Sequence, residues 1–225
     1  MLVIAAGLAA GCGRAGSAVV TTAPGRPPVT TTPPPPPRDV PAIVRDLNAY
    51  WAVHDEELGF RYRPVPPRRV GTLRDGLTCD GAPIDRADVA GNAYVDPDCS
   101  EGILVAYDPR YVEATTVRAE ATMAHEWGHV IQAQADDIDL SRDPDGLPID
   151  AELQADCFAG AWAAERARSP IGRLRTDTAR SGDPSGTDVE DPDAHGLPRE
   201  RVTAFDVGLH GGPVACVDEL IDALP

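Results

Sequence analysis

Lysine is absent from this 225-residue chain, and all 20 of its basic side chains are arginines. The 36 acidic side chains give a formal net charge of −16. Because residues 1–38 contain three arginines and no acid, residues 39–225 carry a net charge of −19. Proteins bind nucleic acids by placing basic side chains against phosphates. This charge balance therefore predicts that the protein does not bind nucleic acid.

Long apolar runs are also lacking. The body of the chain has no stretch of about 18 apolar residues, which excludes a protein with several membrane-spanning helices. Apolar residues still make up 42% of the sequence, enough for one hydrophobic core. Length and composition together predict one globular domain with additional terminal segments.

Residues 1–12 read MLVIAAGLAAGC. The run is too short to span a bilayer but has the length of the apolar part of a signal peptide. It resembles a bacterial lipoprotein signal, in which the cysteine, here Cys12, becomes the lipidated first residue after cleavage. No arginine precedes the run, although such signals begin with basic residues, and a start codon further upstream would supply them. The alternative is a buried N-terminal helix.

Residues 13–38 contain eight prolines, including the run Pro33–Pro37. Such a composition cannot bury a core and favours extended polyproline II, so we predict a disordered linker. A signal, a linker and then a domain over 39–225 form the layout of a lipid-anchored protein held outside the cytoplasmic membrane. The alternative is a cytoplasmic protein in which the match at residues 1–12 is accidental.

The cysteine count agrees with an extracytoplasmic location. Of five cysteines, the four that remain besides Cys12 form an even set, which suggests two disulfides. Three pairings are possible. We favour Cys79–Cys99, which closes a Gly- and Asp-rich region, and Cys157–Cys216, which links the C-terminal segment to a central helix. Zinc bound by cysteines is the rival interpretation, but no Cys-x-x-Cys pair is present.

The pattern of apolar residues over the body predicts an α+β fold that is mainly helical with a small β-sheet. Asp39 is expected to cap a first helix, and residues 59–100 indicate loops with short strands. Ile103–Tyr107 is a short apolar run that predicts a strand. Residues 176–196 are acidic and turn-rich. Further helices are predicted at 113–135, 150–168, 198–209 and 215–224.

The residues that point to chemistry lie in the helix predicted for 113–135. His125, Glu126 and His129 form the pattern His-Glu-x-x-His. Two histidines four residues apart point to the same side of a helix, so both imidazoles can reach one Zn²⁺. Glu126, beside the first of them, can reach a water on the metal as a general base.

Glu152 is the predicted third ligand. It begins the next helix, 23 residues after His129, and an antiparallel return can bring it over the metal. Two histidines and a glutamate with an open fourth position are a ligand set of hydrolytic zinc sites. Asp156 follows at helical spacing and is predicted to accept the free ring N–H of a ligating histidine. The alternative for Glu152 is a solvated acid favoured by the helix dipole.

These motifs carry a family resemblance. His-Glu-x-x-His followed by Glu-x-x-x-Asp resembles the gluzincin metallopeptidases, the thermolysin-like clan. More closely, AHEWGHVIQ and ELQADCFAGAW resemble the neutral zinc metallopeptidase family of bacteria, over about residues 40–220. Ala194-His195-Gly196 followed by Arg201 is a looser similarity. The resemblance implies a zincin-like, zinc-dependent peptidase domain.

Together these observations predict a zinc-dependent peptidase that acts on peptides or proteins. His195 is expected either to donate a hydrogen bond to the oxyanion of the reaction or to be a loop histidine that holds the acidic turn. The strand at 103–107 is expected to offer its edge to an extended substrate. A non-catalytic zinc-containing binding lipoprotein of the cell envelope is the alternative. The acidic run between Asp136 and Asp145 is interpreted as a solvated loop rather than a Ca²⁺ site.

Overall fold

The structure is a computed structural model that describes residues 39–89, 91–135, 138–139, 147–188, 190–191 and 194–224. The predicted lipidation residue Cys12, the predicted linker 13–38 and most of the acidic run after residue 135 lie outside the described residues. Those predictions stay open.

The first helix, α1 (Val40–His54), begins where the sequence indicates. Asp39 is the N-cap, and its side chain accepts a hydrogen bond from the backbone N–H of Ala42 at 2.9 Å. Apolar residues recur at helical spacing and are buried at Ile43, Val44, Leu47, Tyr50 and Trp51. The predicted capped amphipathic helix is therefore confirmed.

Short elements fill residues 56–96, as predicted. They are the 3₁₀ helices Glu56–Leu58, Pro67–Arg69 and Leu73–Asp75, the strands β1 (Val70–Gly71), β2 (Thr78–Cys79), β3 (Ala82–Pro83) and β4 (Ala93–Asp96), and the helix α2 (Arg86–Val89). Strands β2 and β3 form a hairpin whose two turn residues, Asp80 and Gly81, both have positive φ, at 53° and 79°. Asp-Gly suits this mirror-image turn because both residue types tolerate the left-handed backbone.

Strand β5 (Leu104–Tyr107) is central in the three-stranded sheet, which has the order β1-β5-β4. It pairs parallel with β1 and antiparallel with β4, so Val105 lies between Val70 and Val95. The strand itself was predicted and is confirmed, but the prediction that it offers an edge to substrate is wrong, because both of its edges are paired. All four of its residues are buried, which is typical of a central strand.

The rest of the described chain is helical, in the order α3 (Pro109–Val112), α4 (Thr116–Gln134), α5 (Pro148–Arg166), α6 (Ile171–Arg180), α7 (Pro198–Asp218) and α8 (Leu220–Ala223). Helix α7 is broken at Gly212, where φ is 72° and Pro213 follows. The helices predicted at 198–209 and 215–224 correspond to the segments before and after this break. None of the helices in the described ranges is long and apolar enough to cross a membrane.

Helix α6 was not predicted, and its last turn extends into the segment interpreted as turn-rich. Most of its residues are polar, but Leu174 and Thr178 face inward and are buried. Asp177 forms an ion pair with Arg118 of α4 at 3.1 Å. Contacts with the neighbouring helices therefore stabilise a helix that the local composition does not indicate.

Helices α4, α5 and α7 approach one another so closely that glycine is required where they meet. A Cβ atom on Gly128 would lie 2.5 Å from the Cα of Ala155, and one on Gly160 would lie 1.9 Å from the carbonyl oxygen of Phe205. The same holds for Gly208, whose Cβ would lie 1.8 Å from the carbonyl oxygen of Cys157. Helix α5 therefore lies with its backbone against both of its neighbours.

Two disulfides complete this arrangement, with the pairing favoured from the sequence. Cys157 of α5 is bonded to Cys216 of α7, with a Cα–Cα distance of 5.6 Å. Cys79 of the hairpin is bonded to Cys99, in the loop after β4, with a Cα–Cα distance of 5.0 Å. The mainly helical α+β fold with a small sheet and two disulfides is thus confirmed, while its zincin-like identity stays a prediction.

The α5–α7 contact makes a stability prediction. We expect Gly160→Ala to lower the free energy of unfolding by about 1–3 kcal/mol, because its methyl group would overlap the backbone of α7. Gly172→Ala in α6 is the matched control, since nothing lies within 4 Å of its Cβ position and alanine favours a helix. Denaturant unfolding followed by circular dichroism measures both. Equal stability of the two variants would contradict the packing described here.

Candidate metal centre

Helices α4 and α5 bring the three predicted ligands together. His125 and His129 lie one turn apart on α4, with ring centroids 4.9 Å apart. Glu152 lies in the second turn of α5, which starts at Pro148 and whose Asp150 accepts the N–H of Leu147 at 2.8 Å. The Nε2 atoms of His125 and His129 are each 3.2 Å from an oxygen of Glu152.

This geometry fits a tetrahedral metal ion. Ligand atoms about 2.0–2.1 Å from a tetrahedral zinc lie about 3.3 Å from one another, close to the two observed separations. The Oε2 atom of Glu152 is buried and has no aligned hydrogen-bond donor among the described residues, although Nε2 of His125 approaches it to 3.2 Å. A metal ion that displaces the ring protons would be shared by these nitrogen and oxygen atoms. The described residues therefore contain a possible metal-binding group of His125, His129 and Glu152.

Asp156 lies where the sequence places it, one turn after Glu152 on α5. Its Oδ1 atom is 2.9 Å from Nδ1 of His125, the nitrogen that faces away from Glu152. Asp156 is itself held by Arg201 of α7, which was noted from the sequence only as part of the family motif. The contact between Asp156 and Nδ1 of His125 is the one expected of a residue that accepts the free ring N–H of a ligating histidine.

His129 is oriented by a second set of contacts that was not predicted from the sequence. Its Nδ1 atom is 2.8 Å from Oε1 of Gln132, one turn later on α4. The amide nitrogen of Gln132 donates to the carbonyl oxygen of Ala151 at 2.8 Å and to Oε1 of Gln154 at 3.0 Å. The sequence did contain one indication of this contact, because Gln132 follows His129 by three residues and so lies on the same face of the helix.

The electrostatic field of the site favours a cation. Burial lowers the pKa of His125, but the carboxylates of Asp156 and Glu152 outweigh this and raise the pKa to about 10. Burial acts to raise the pKa of Glu152, yet the two imidazoles hold it well below its usual range. Burial also raises the pKa of Glu126, partly opposed by the same imidazoles. Carboxylates therefore lie beside both imidazoles that would hold a metal and favour positive charge there.

The metal-binding group opens into a cavity of about 900 Å³. Strand β4 and its flanks, from Gly91 to Pro97, line one side of it, and α4 and the first turns of α5 line another. Glu126 is nearly buried but lines this cavity next to the possible ligands. The space next to the three ligand atoms is therefore accessible and large enough for a peptide segment.

His195 also lines the cavity, at its α7 side. Its side chain is 37% exposed, and its Nε2 atom is 4.0 Å from Oε2 of Glu152. The backbone N–H groups of His195 and Gly196 donate to Oδ2 of Asp183 at 2.6 and 3.0 Å, which fixes the loop. His195 is not part of the group of three possible ligands, so it lies beside the metal position without belonging to it.

A second cluster has a composition that suggests metal binding, but it lacks thiolates. Cys79, Asp96 and Cys99 lie close together, yet both sulfur atoms belong to one disulfide. Of the acidic run considered for Ca²⁺, the structure describes Asp139 but not the other members, and the interpretation as a solvated loop stays a prediction.

Neither models of protein families, nor curated proteins, nor solved structures match this chain. The resemblance to the neutral zinc metallopeptidases therefore stays a prediction that rests on the motifs.

The raised pKa of His125 predicts that metal binding releases protons. Its ring is protonated near neutral pH in the metal-free protein, and a metal binds only the neutral ring, so binding must displace at least one proton and weaken as the pH falls. Calorimetric titration with Zn²⁺ in two buffers of different ionisation enthalpy measures this. His210→Gln, at an exposed site on α7, should leave the release unchanged. A binding enthalpy independent of the buffer would contradict the prediction.

Proposed function

We propose that the protein is a zinc-dependent peptidase tethered outside the cytoplasmic membrane. The observation that carries this proposal is the convergence of His125, His129 and Glu152 at the side of an open cavity, with Glu126 next to them. Three ligands leave one coordination position for water or substrate, which distinguishes catalytic zinc sites from closed structural ones.

Zinc is the metal that suits these donors. Ca²⁺ and Mg²⁺ prefer sites built from oxygen atoms, whereas two imidazoles and one carboxylate suit Zn²⁺. His125, His129 and Glu152 would hold the ion, with the rings oriented by Asp156 and Gln132. When bound, zinc supplies Lewis acidity, which polarises a substrate carbonyl and lowers the pKa of a water molecule.

Glu126 is the proposed general base. Its carboxylate lines the cavity, and burial raises its pKa towards the range in which a carboxylate can both accept and release a proton. Glu126 would accept a proton from the attacking water at a carboxylate oxygen and donate it to the nitrogen of the leaving amine.

The proposed substrate is a peptide or an unfolded protein segment bound along β4. Strand β4 is at the edge of the sheet, with one side paired to β5 and no strand on its other side among the described residues. It lines the cavity that contains the metal-binding group. An extended peptide can add to such an edge through backbone hydrogen bonds, the role first assigned to the strand at 103–107.

We place the protein outside the cytoplasm, anchored through lipid on Cys12. Two disulfides in the described body support this placement, because such bonds persist in oxidising compartments. The non-catalytic alternative, an envelope binding protein, would need a closed metal site or a blocked groove. The cavity beside the three ligands favours the enzyme over this alternative.

The central test of the mechanism is Glu126→Gln. We expect this variant to keep one zinc per chain and to lose about 10²–10⁴-fold in peptide hydrolysis, because the amide cannot accept the proton. Hydrolysis of a mixture of unstructured peptides, followed by mass spectrometry, measures the activity, and elemental analysis measures zinc. Glu57→Gln is the matched control, since Glu57 is about half exposed and pairs with His54, away from the metal-binding group. Wild-type activity in Glu126→Gln would refute the assigned base.

The two roles considered for His195 predict different kinetics. As an oxyanion donor, its replacement in His195→Ala, which removes the donor, should lower kcat by about 10²–10³-fold with little change in KM or zinc content. As a loop residue only, the same replacement should change thermal stability and leave kcat intact. His210→Ala is the control, because His210 is exposed and its ring contacts the backbone carbonyl oxygen of Asp206, away from the metal-binding group. Steady-state kinetics on the cleaved peptide, with unfolding curves, separate the two roles.

A further inference from the structure

Arg201 is a buried arginine behind the metal-binding group, with only 4% of its side chain exposed. It lies near the start of α7, and its guanidinium contacts both oxygens of Asp156. Nε donates to Oδ2 at 2.6 Å, and Nη2 donates to Oδ1 at 2.9 Å. The third nitrogen, Nη1, donates to the carbonyl oxygen of Ser181 at the end of α6, at 2.8 Å.

This two-point contact restricts the carboxylate of Asp156. A carboxylate held at both oxygens by one planar guanidinium cannot rotate about its Cβ–Cγ bond without losing a charge-assisted hydrogen bond. Oδ1 therefore stays directed at Nδ1 of His125, 2.9 Å away. With its proton on Nδ1, the ring presents the lone pair of Nε2 to the position shared with Glu152.

The other histidine is linked to α7 less directly. His129 is oriented by Gln132, which is held by Ala151 and Gln154 of α5. Gln154 in turn donates to the backbone carbonyl oxygen of Cys216 on α7 at 3.2 Å. His125 reaches an α7 side chain through Asp156 alone, so its ring depends most closely on a helix that supplies no ligand.

We propose that Arg201 is a positioning residue of the metal centre, which fixes the ring of His125 in its ligating orientation by holding both oxygens of Asp156. The inference rests on the proposed function only in requiring that the site bind zinc. It does not depend on peptidase activity, and it extends the metal centre to the start of α7.

The charge of Arg201 decides which variant tests positioning. Nη2 lies 3.3 Å from Nδ1 of His125, so the guanidinium is a cation close to a site for another cation. A lysine at this position keeps the charge, so an effect that comes from repulsion alone would leave zinc binding nearly unchanged. If positioning is the main effect of Arg201, loss of its planar fork weakens zinc binding.

The test is Arg201→Lys in the full chain, which keeps the charge but removes the planar fork. We expect the Kd for Zn²⁺, measured by competition with a chromophoric chelator, to rise by about 10- to 100-fold. Arg175→Lys is the matched control: Arg175 also joins α6 to α7, through Asp206 at 2.5 Å, but within the described part of the chain it forms no hydrogen bond or ion pair with the metal-binding residues. Its Kd should stay within about twofold of the wild type.

Two further measurements separate positioning from a general structural role. A structural role alone would lower the unfolding temperature of the metal-free protein and leave the Kd of the folded protein unchanged. If Arg201 acts through Asp156, then Arg201→Lys should add little to the loss already caused by Asp156→Asn. Additive losses in the double variant, or a Kd for Arg201→Lys that is unchanged or lower, would overturn the proposal.

A measurement on the wild-type full chain tests the proposal even if the variants fail to fold. In the zinc-loaded protein, NMR should show a single tautomer of His125, protonated at Nδ1, with slow exchange of that proton and of the Nε proton of Arg201. Rapid exchange of both protons, or two ring tautomers, would overturn the proposal even where zinc binds. If the wild type does not bind zinc, the metal site itself is wrong. If it binds zinc but the ring of His125 is not held in one tautomer, only the positioning role of Arg201 is wrong.

Discussion

The close contact between α4 and α5 is the constraint on which the metal-binding group depends. Gly128, inside the His-Glu-x-x-His pattern, allows the backbone of Ala155 to approach where any larger residue would collide with it. Glu152 lies one turn before Ala155, so this contact places its carboxylate over both imidazoles. Trp127 holds the opposite face of α4 in the core, where its Nε1 donates to the hydroxyl of Tyr62 at 2.8 Å. Gly128 and Trp127, both within the motif, therefore fix how α4 packs, and with it the position of the two histidines relative to α5.

The packing of α4 against α5 places several carboxylates close together, and their negative charge must be compensated by nearby cations. Glu126, Glu152 and Asp156 are carboxylates in a site largely removed from water, where uncompensated charges are costly. Arg201 compensates Asp156 directly, and the neighbouring carboxylates raise the pKa of both imidazoles, which favours positive charge beside them. A divalent cation bound to the neutral rings would supply positive charge at the same place. The same carboxylates that raise the pKa of His125 thus favour the cation that the proposed reaction requires.

The sequence predicted the parts of the structure that depend on local patterns. The capped helix at Asp39 and the helix of His125 and His129 follow from periodicity and caps. The pairing of Cys157 with Cys216 was favoured because it links the C-terminal segment to a central helix, and the structure has it. Glu152 was predicted to begin the next helix and to return to the histidines; it lies in the second turn of α5 and reaches both of them.

Other features that depend on contacts between distant residues were missed. Helix α6 is stabilised by contacts such as that of Asp177 with Arg118, which no local pattern reveals. The central position of β5 is set by its partners β1 and β4, although its unbroken apolar run was a sign of burial on both faces. The role of Gln132 in orienting His129 could not be predicted from the sequence, because Gln132 is itself held by α5, whose position beside α4 only the structure gives.

X-ray absorption spectroscopy at the zinc edge of the purified full chain, loaded with one equivalent of Zn²⁺, tests the central claim most directly. The account predicts two imidazole nitrogens and additional oxygen ligands at about 2.0–2.1 Å, with no sulfur in the coordination sphere. A sulfur shell at about 2.3 Å, or zinc that remains in solution at equimolar protein, would contradict it.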